Sequence, residues 1–150
     1  MRRHIARTTM MLCGAVSLAA VVGTASAAPP GTQPVKHHAE PVIVDCFWQP
    51  EVRPDDFILA CGDGNSRLIS LQWSQWLPNS ATAEGINVVN DCKPYCAAGK
   101  FHPYRVTVRL DDPEPWKKRP QVQHYTQITL VYTDERPDGY ERTVSYPLWN

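Results

Sequence analysis

The chain has 150 residues, with 15 Lys or Arg against 15 Asp or Glu, which suits one domain built round one core. Three of the arginines, Arg2, Arg3 and Arg7, sit in the first seven residues, and the chain from Ala28 onward keeps 12 basic and 15 acidic residues, a net charge of −3. That excess of acid excludes the basic face a nucleic-acid backbone would call for.

In chain order, the basic head Met1–Arg7 leads into an apolar run from Met10 to Val22 and then to Ala25-Ser26-Ala27. This is the pattern of a signal peptide, residues 1–27, cleaved after Ala27. The run is well short of the roughly 20 residues that span a bilayer, so no membrane span is expected. Residues 28–40, "APPGTQPVKHHAE", are proline-rich and polar and read as a disordered leader, with His37 and His38 as solvated features of it. The folded unit is expected over residues 41–150, secreted and either extracellular or associated with the cell wall.

Removal of the signal peptide takes Cys13 with it and leaves Cys46, Cys61, Cys92 and Cys96. An even number in an oxidising compartment points to two disulfides. Of the three pairings, 46–61 and 92–96 are favoured, because the turn-rich sequence within each pair can close its own loop. Neither pair has the C-x₂-C spacing of a zinc site, and no metal or cofactor is expected.

From Pro41 the chain alternates short β-branched and aromatic runs with Pro, Gly, Asn and Asp, as an all-β domain does. Strands are expected at Pro41–Phe47, Phe57–Ala60, Ala83–Val89, Tyr104–Leu110, Thr126–Tyr132 and Tyr140–Tyr146. In the fourth, Tyr104, Val106, Val108 and Leu110 share one face and Arg105, Thr107 and Arg109 the other. Turns fall at Gly62–Asn65 and Pro137–Gly139, the latter joining two antiparallel strands. The expectation is an antiparallel sandwich or partly open barrel of about six or seven strands.

The segment Ser66–Trp76 reads as a strand with Trp73 in the core and Trp76 at the rim. It also fits a helix, with Ile69, Trp73, Trp76 and Leu77 on one face, Ser66 as cap and Pro78 as stop. The flanking strands and the Gly64-Asn65 turn favour the strand.

Candidate chemistry is sparse. Neither Gly-x-Ser-x-Gly nor His-Glu-x-x-His occurs. His102 and His124 are the histidines of the folded part, and a small hydrolase would have to use one of them. The pairs Asp55-Asp56 and Asp111-Asp112 point their side chains to opposite faces of an extended chain and read as loop punctuation. The best contact surface is the charged stretch Asp111–Pro120, where Trp116 supplies an aromatic anchor and Lys117, Lys118 and Arg119 supply cations. Trp76, at a strand end, joins them as a contact candidate. The competing role for Trp116 is to fold back over an open end of the sheet, and Trp48 and Trp149 are expected to plug the core in that way.

The runs "ILACGDGNSRLISLQWSQW" and "GINVVNDCKPYCAAGKFHPYRVTVRL" resemble a group of small secreted actinomycete proteins. Its marks are a Cys-Gly-x-Gly turn, a Leu-x-Trp-x-x-Trp segment and Asn-Asp-Cys-x-Pro-x-Cys-Ala-x-Gly before an amphipathic strand. The resemblance covers about residues 57–110; it implies a secreted disulfide-bonded domain and brings no catalytic residue with it. The expected function is a non-enzymatic binding module for an extracellular protein or a glycan, including cell-wall material. The alternatives are a hydrolase using His102 or His124 and a protease inhibitor presenting Lys117–Arg119.

Overall fold

The computed structural model describes residues 40–150; the signal and nearly all of the leader lie outside the described residues. Eight strands and one short 3₁₀ turn form: β1 Ile43–Val44, β2 Pro50–Glu51, β3 Phe57–Ile58, β4 Ser66–Trp76, β5 Ala81–Asn90, the 3₁₀ turn Cys96–Ala98, β6 Phe101–Trp116, β7 Arg119–Tyr132 and β8 Thr143–Pro147. The fold is all-β, with two disulfides, Cys46–Cys61 and Cys92–Cys96.

Strands β3 to β8 make one antiparallel meander in sequence order. Short turns permit this: Gly64 takes φ 68° between β3 and β4, and Gly139 takes φ 78° between β7 and β8, a region glycine enters without a Cβ clash. The sheet curls. Phe57 lies on one edge strand and Trp149 just beyond the other, yet their rings stack with centroids 5.7 Å apart. The alternation expected along Tyr104–Leu110 holds, with Val106, Val108 and Leu110 turned inward to meet Ile128, Leu130 and Tyr132 of β7.

The open side of the curl is covered by residues 41–56. Val42 donates to the Gln123 carbonyl at 2.9 Å and accepts from the Tyr125 amide at 3.0 Å, so this segment runs parallel to the part of β7 that β8 leaves unpaired. Indole N–H groups fasten the same segment, Trp76 to the Pro41 carbonyl at 2.8 Å and Trp73 to the Pro54 carbonyl at 2.8 Å.

Two expectations need correction. The first concerns β4, which is a strand but not a regular one. Register shifts against β5 occur between Ile69 and Gln72 and again between Trp73 and Gln75, and each extra residue reverses which face the next side chain takes. Leu68, Leu71 and Trp76 are buried as a result, while Trp73 is only partly covered. The first bulge releases two amide donors. Leu71 gives its N–H to the Asp55 carbonyl at 2.8 Å, and Ser70, at φ 54°, gives its N–H to the Asp56 carboxylate at 3.1 Å. The pair Asp55-Asp56 thus staples a bulge.

The second concerns residues 111–116, read as a loop, which continue β6. Pairing of β6 with β5 ends at Leu110, opposite Ala81, while pairing with β7 runs on to Trp116. Pro113 and Pro115 therefore sit where one flank of the strand has no partner, the position in a sheet where a missing N–H is tolerated.

Candidate functional site

Of the side chains expected to form the contact surface, the two tryptophans are turned inward and the three cations are exposed. Trp116 is 1% exposed and packs with Val42 and Val44. Its alternation along β6 carries it under the covering segment, so it cannot offer a ring face to a ligand. Trp76 is also buried, meeting Trp73 and Tyr125 edge to face. The cations of the β6–β7 turn lie against tryptophans: the Lys118 ammonium stands 3.6 Å from the centre of the Trp48 ring, and the Arg119 guanidinium 5.4 Å from that of Trp116. The Lys117 amide donates to the Asn150 side chain at 3.1 Å. The turn gains cation–π attraction from Lys118 and Arg119, while Lys117, Lys118 and Arg119 all remain exposed.

His124 is fully buried, with Nδ1 bonded to the Glu114 carbonyl at 2.9 Å. That bond puts the proton on Nδ1, and Nε2 has no partner among the described residues, like the indole N–H of Trp116. His102 is half exposed and its Nε2 lies 3.0 Å from the Asp91 carboxylate. Asp91 is held down to about 2. Its largest cause is the Lys100 backbone N–H, followed by His102 and the Lys93 N–H. A pocket of about 340 Å³ beside the pair includes Tyr104, Tyr140 and Lys93, and Lys93 is itself engaged by Asp138 at 2.7 Å. No serine, threonine or cysteine lines that pocket.

The most exposed large apolar side chain stands elsewhere. Phe47 is 74% exposed, on the five-residue connection Asp45–Gln49 between β1 and β2, in which the backbone bond from Asp45 to Gln49 encloses a loop of three residues. Asp45 builds this loop. Its carboxylate accepts the amides of Phe47 at 2.9 Å and Gln49 at 2.6 Å, its carbonyl accepts the Trp48 amide at 3.0 Å, and its own amide donates to the Gln49 carbonyl at 2.9 Å. A hairpin loop of this length closes through one residue in the left-handed region, a place that favours glycine. Here Trp48 occupies it at φ 63°, at a penalty of about 1–2 kcal/mol. Strain of that kind on a bulky residue marks sites where the side chain is needed in position. The Cys46–Cys61 bond, spanning 15 residues, ties the loop to the turn between β3 and β4.

Beside Phe47 lies a groove of about 510 Å³ between this loop and strands β3 and β4. Phe57 and Leu68 lie along it as buried residues, Ile58 is exposed, and Asp45, Glu51 and Asp56 bring carboxylates. Burial raises the Glu51 carboxyl above its ordinary value, and the neighbouring charge of Asp45 adds to this.

The turn was missed in the sequence because Pro41–Phe47 reads as one strand; β1 in fact stops at Val44. The available signal was Asp45, a turn-initiating acceptor placed directly before a cysteine. Trp149 does plug the core as expected, stacking on Phe57 and donating to the Asp45 carbonyl at 3.0 Å. Trp48 does not, and is 39% exposed. Among the described residues no group of three His, Cys, Asp or Glu side chains is arranged to hold a metal, and no helix is long and apolar enough to cross a membrane. No protein-family model, curated protein or solved structure was found to match the chain.

Proposed function

We propose that this protein is a secreted, non-enzymatic binding module that meets an extracellular protein or a glycan through the Asp45–Gln49 turn and the groove beside it. Secretion is supported by the signal-like leader and the paired cysteines, which persist in oxidising compartments. The likeness to the small secreted actinomycete proteins belongs to the same reading. One observation carries the choice of surface: an aromatic side chain left 74% exposed on a loop that a carboxylate and a disulfide both hold in place. A rigid aromatic presented this way loses little conformational entropy on binding, as interface anchors require.

The test is co-sedimentation of the oxidised protein, freed of its leader, with insoluble cell wall, cellulose and chitin, together with capture on immobilised extracellular proteins. Phe47→Ala abolishes retention while the thermal transition stays close to that of the parent. Retention that survives Phe47→Ala and disulfide reduction rejects this surface.

A second reading rests on the Asp91–His102 pair, which has the geometry of a histidine oriented by a carboxylate. A hydrolase of this kind would use water as nucleophile, and turnover of p-nitrophenyl esters would fall on His102→Gln with the fold intact. His124, enclosed and bonded through Nδ1, has no route to a substrate. In the inhibitor reading Lys117, Lys118 and Arg119 stay exposed, with Lys118 over Trp48 and Arg119 over Trp116.

A further inference from the structure

The groove beside Phe47 is lined by apolar side chains, by three carboxylates and by one cation, Arg67. Among the described residues, none of Asp45, Glu51 and Asp56 forms an ion pair. Asp45 and Asp56 accept backbone amides through Oδ1, whereas no hydrogen bond reaches the Glu51 side chain. The cation lining the groove, Arg67, is drawn toward the Phe101 ring, its guanidinium 5.2 Å from the centre. Glu51 and Asp45 both line the groove, and Glu51 is partly withdrawn from water with the like charge of Asp45 near it. A cation brought between them relieves both penalties.

We propose that this groove receives a lysine or arginine side chain from an extended, apolar-flanked segment of a protein partner, with Phe47 as the apolar anchor beside it. The proposal rests on the reading of the Asp45–Gln49 turn as the contact surface and assigns its partner class. The chemistry favours an amphipathic cation, because the aliphatic stem of Lys or Arg covers the exposed Ile58 while its head reaches the carboxylates. A bare metal ion leaves the apolar flank uncovered. A sugar stacked on Phe47 would leave the carboxylates without a cation.

The experiment is amide-resolved NMR titration of the oxidised protein with the peptide Ac-Gly-Leu-Arg-Leu-Gly-NH₂ and with its citrulline counterpart, which keeps the shape of arginine without its charge. Putrescine, calcium chloride and chitotriose are titrated separately. The expected result is shifts confined to residues 45–51, 56–58 and 67–69, with the arginine peptide binding about fivefold tighter, the upper range for a partly exposed ion pair. Glu51→Gln removes that preference, and so does raising NaCl from about 0.05 M to about 0.5 M, which shortens the reach of the charges. Four results overturn the proposal: equal affinity for the two peptides, shifts elsewhere, no shifts with either peptide, or the same shifts produced at lower concentration by calcium, putrescine or chitotriose. If both peptides bind equally and Phe47→Ala abolishes both, the contact surface stands and the cation subsite falls. If binding ignores Phe47 altogether, the surface itself falls.

Discussion

Trp116 and Phe47 are both large aromatics, and truncating each to alanine separates core from surface. Trp116 is 1% exposed, and removal of a fully enclosed aromatic lowers stability by about 3–5 kcal/mol. Its indole N–H has no partner, so truncation also releases an unsatisfied donor, and the lower end, about 3 kcal/mol, is expected. Unfolding entropy is about 2.1 cal/mol/K per residue, or about 0.23 kcal/mol/K over residues 40–150. The Tm of Trp116→Ala therefore falls by about 13 °C. Phe47 keeps 74% of its surface in water, so about 50 Å² of the roughly 200 Å² of an aromatic side chain is covered. At about 25 cal/mol per Å² this is at most about 1.3 kcal/mol, or about 6 °C. Scanning calorimetry of both variants beside the parent measures the difference. A Tm for Trp116→Ala within about 3 °C of the parent, accompanied by loss of ligand retention, would put that ring on the surface and refute the placement.

Acid provides a second check. The Asp91 carboxyl is held down to about 2 by the Lys100 amide, His102 and the Lys93 amide. Its ionised form is therefore favoured in the folded state. The stability it contributes is complete above the ordinary value of about 3.9 and is lost as pH falls from there through about 2. Urea titrations across that window should show a slope that Asp91→Asn reduces, the remainder coming from Glu40, Asp63 and Asp138, which are also held low; an unchanged slope would contradict the three-donor arrangement. Replacing Cys46 and Cys61 together by alanine opens the loop of 15 residues, lowers stability by about 3 kcal/mol on the loop-entropy model, and raises amide exchange at Phe47, Trp48 and Gln49. Exchange there that matches the parent would show that Asp45 holds the turn without the disulfide.

The fold was legible where one face of a strand is wet. Tyr104–Leu110 and Thr126–Tyr132 alternate because their outer faces carry Arg, Thr and Gln, and both strands form as the pattern indicates. The disulfide pairing was legible too, since each bond closes a local loop. Legibility failed where a long-range partner decides. Nothing within Ser66–Trp76 announces two bulges, because Asp55 and Asp56, which take up the released amides of Leu71 and Ser70, lie outside it, within the loop that Cys46–Cys61 closes. Pro113 and Pro115 suggested a loop because a proline forfeits one ladder bond, but that bond is missing on the flank where β5 has already ended. For the same reason the sequence leaves Trp116 both a contact role and a fold-back role, and burial selects the second: the segment that covers it, Val42 to Val44, is 72 or more residues away in the chain.

That covering segment links the interior of the domain to its outer surface. Pro41 to Val44 is buried, closes the curled sheet and accepts or donates bonds at Trp76, Gln123 and Tyr125. The chain then has only residues 46–48 in which to reverse and return as β2. With Val44 and Pro50 paired on either side, the reversal has no slack, and the residue in the left-handed position must carry the strain. A glycine there would remove the strain at little conformational penalty, yet the position holds a tryptophan stacked under Lys118. Phe47 directs its ring into water from the adjoining position. Core closure thus determines where the turn stands, Asp45 and the disulfide determine its shape, and the two aromatics at its tip are the part that folding alone does not require. That separation makes the turn the first place to look for a partner.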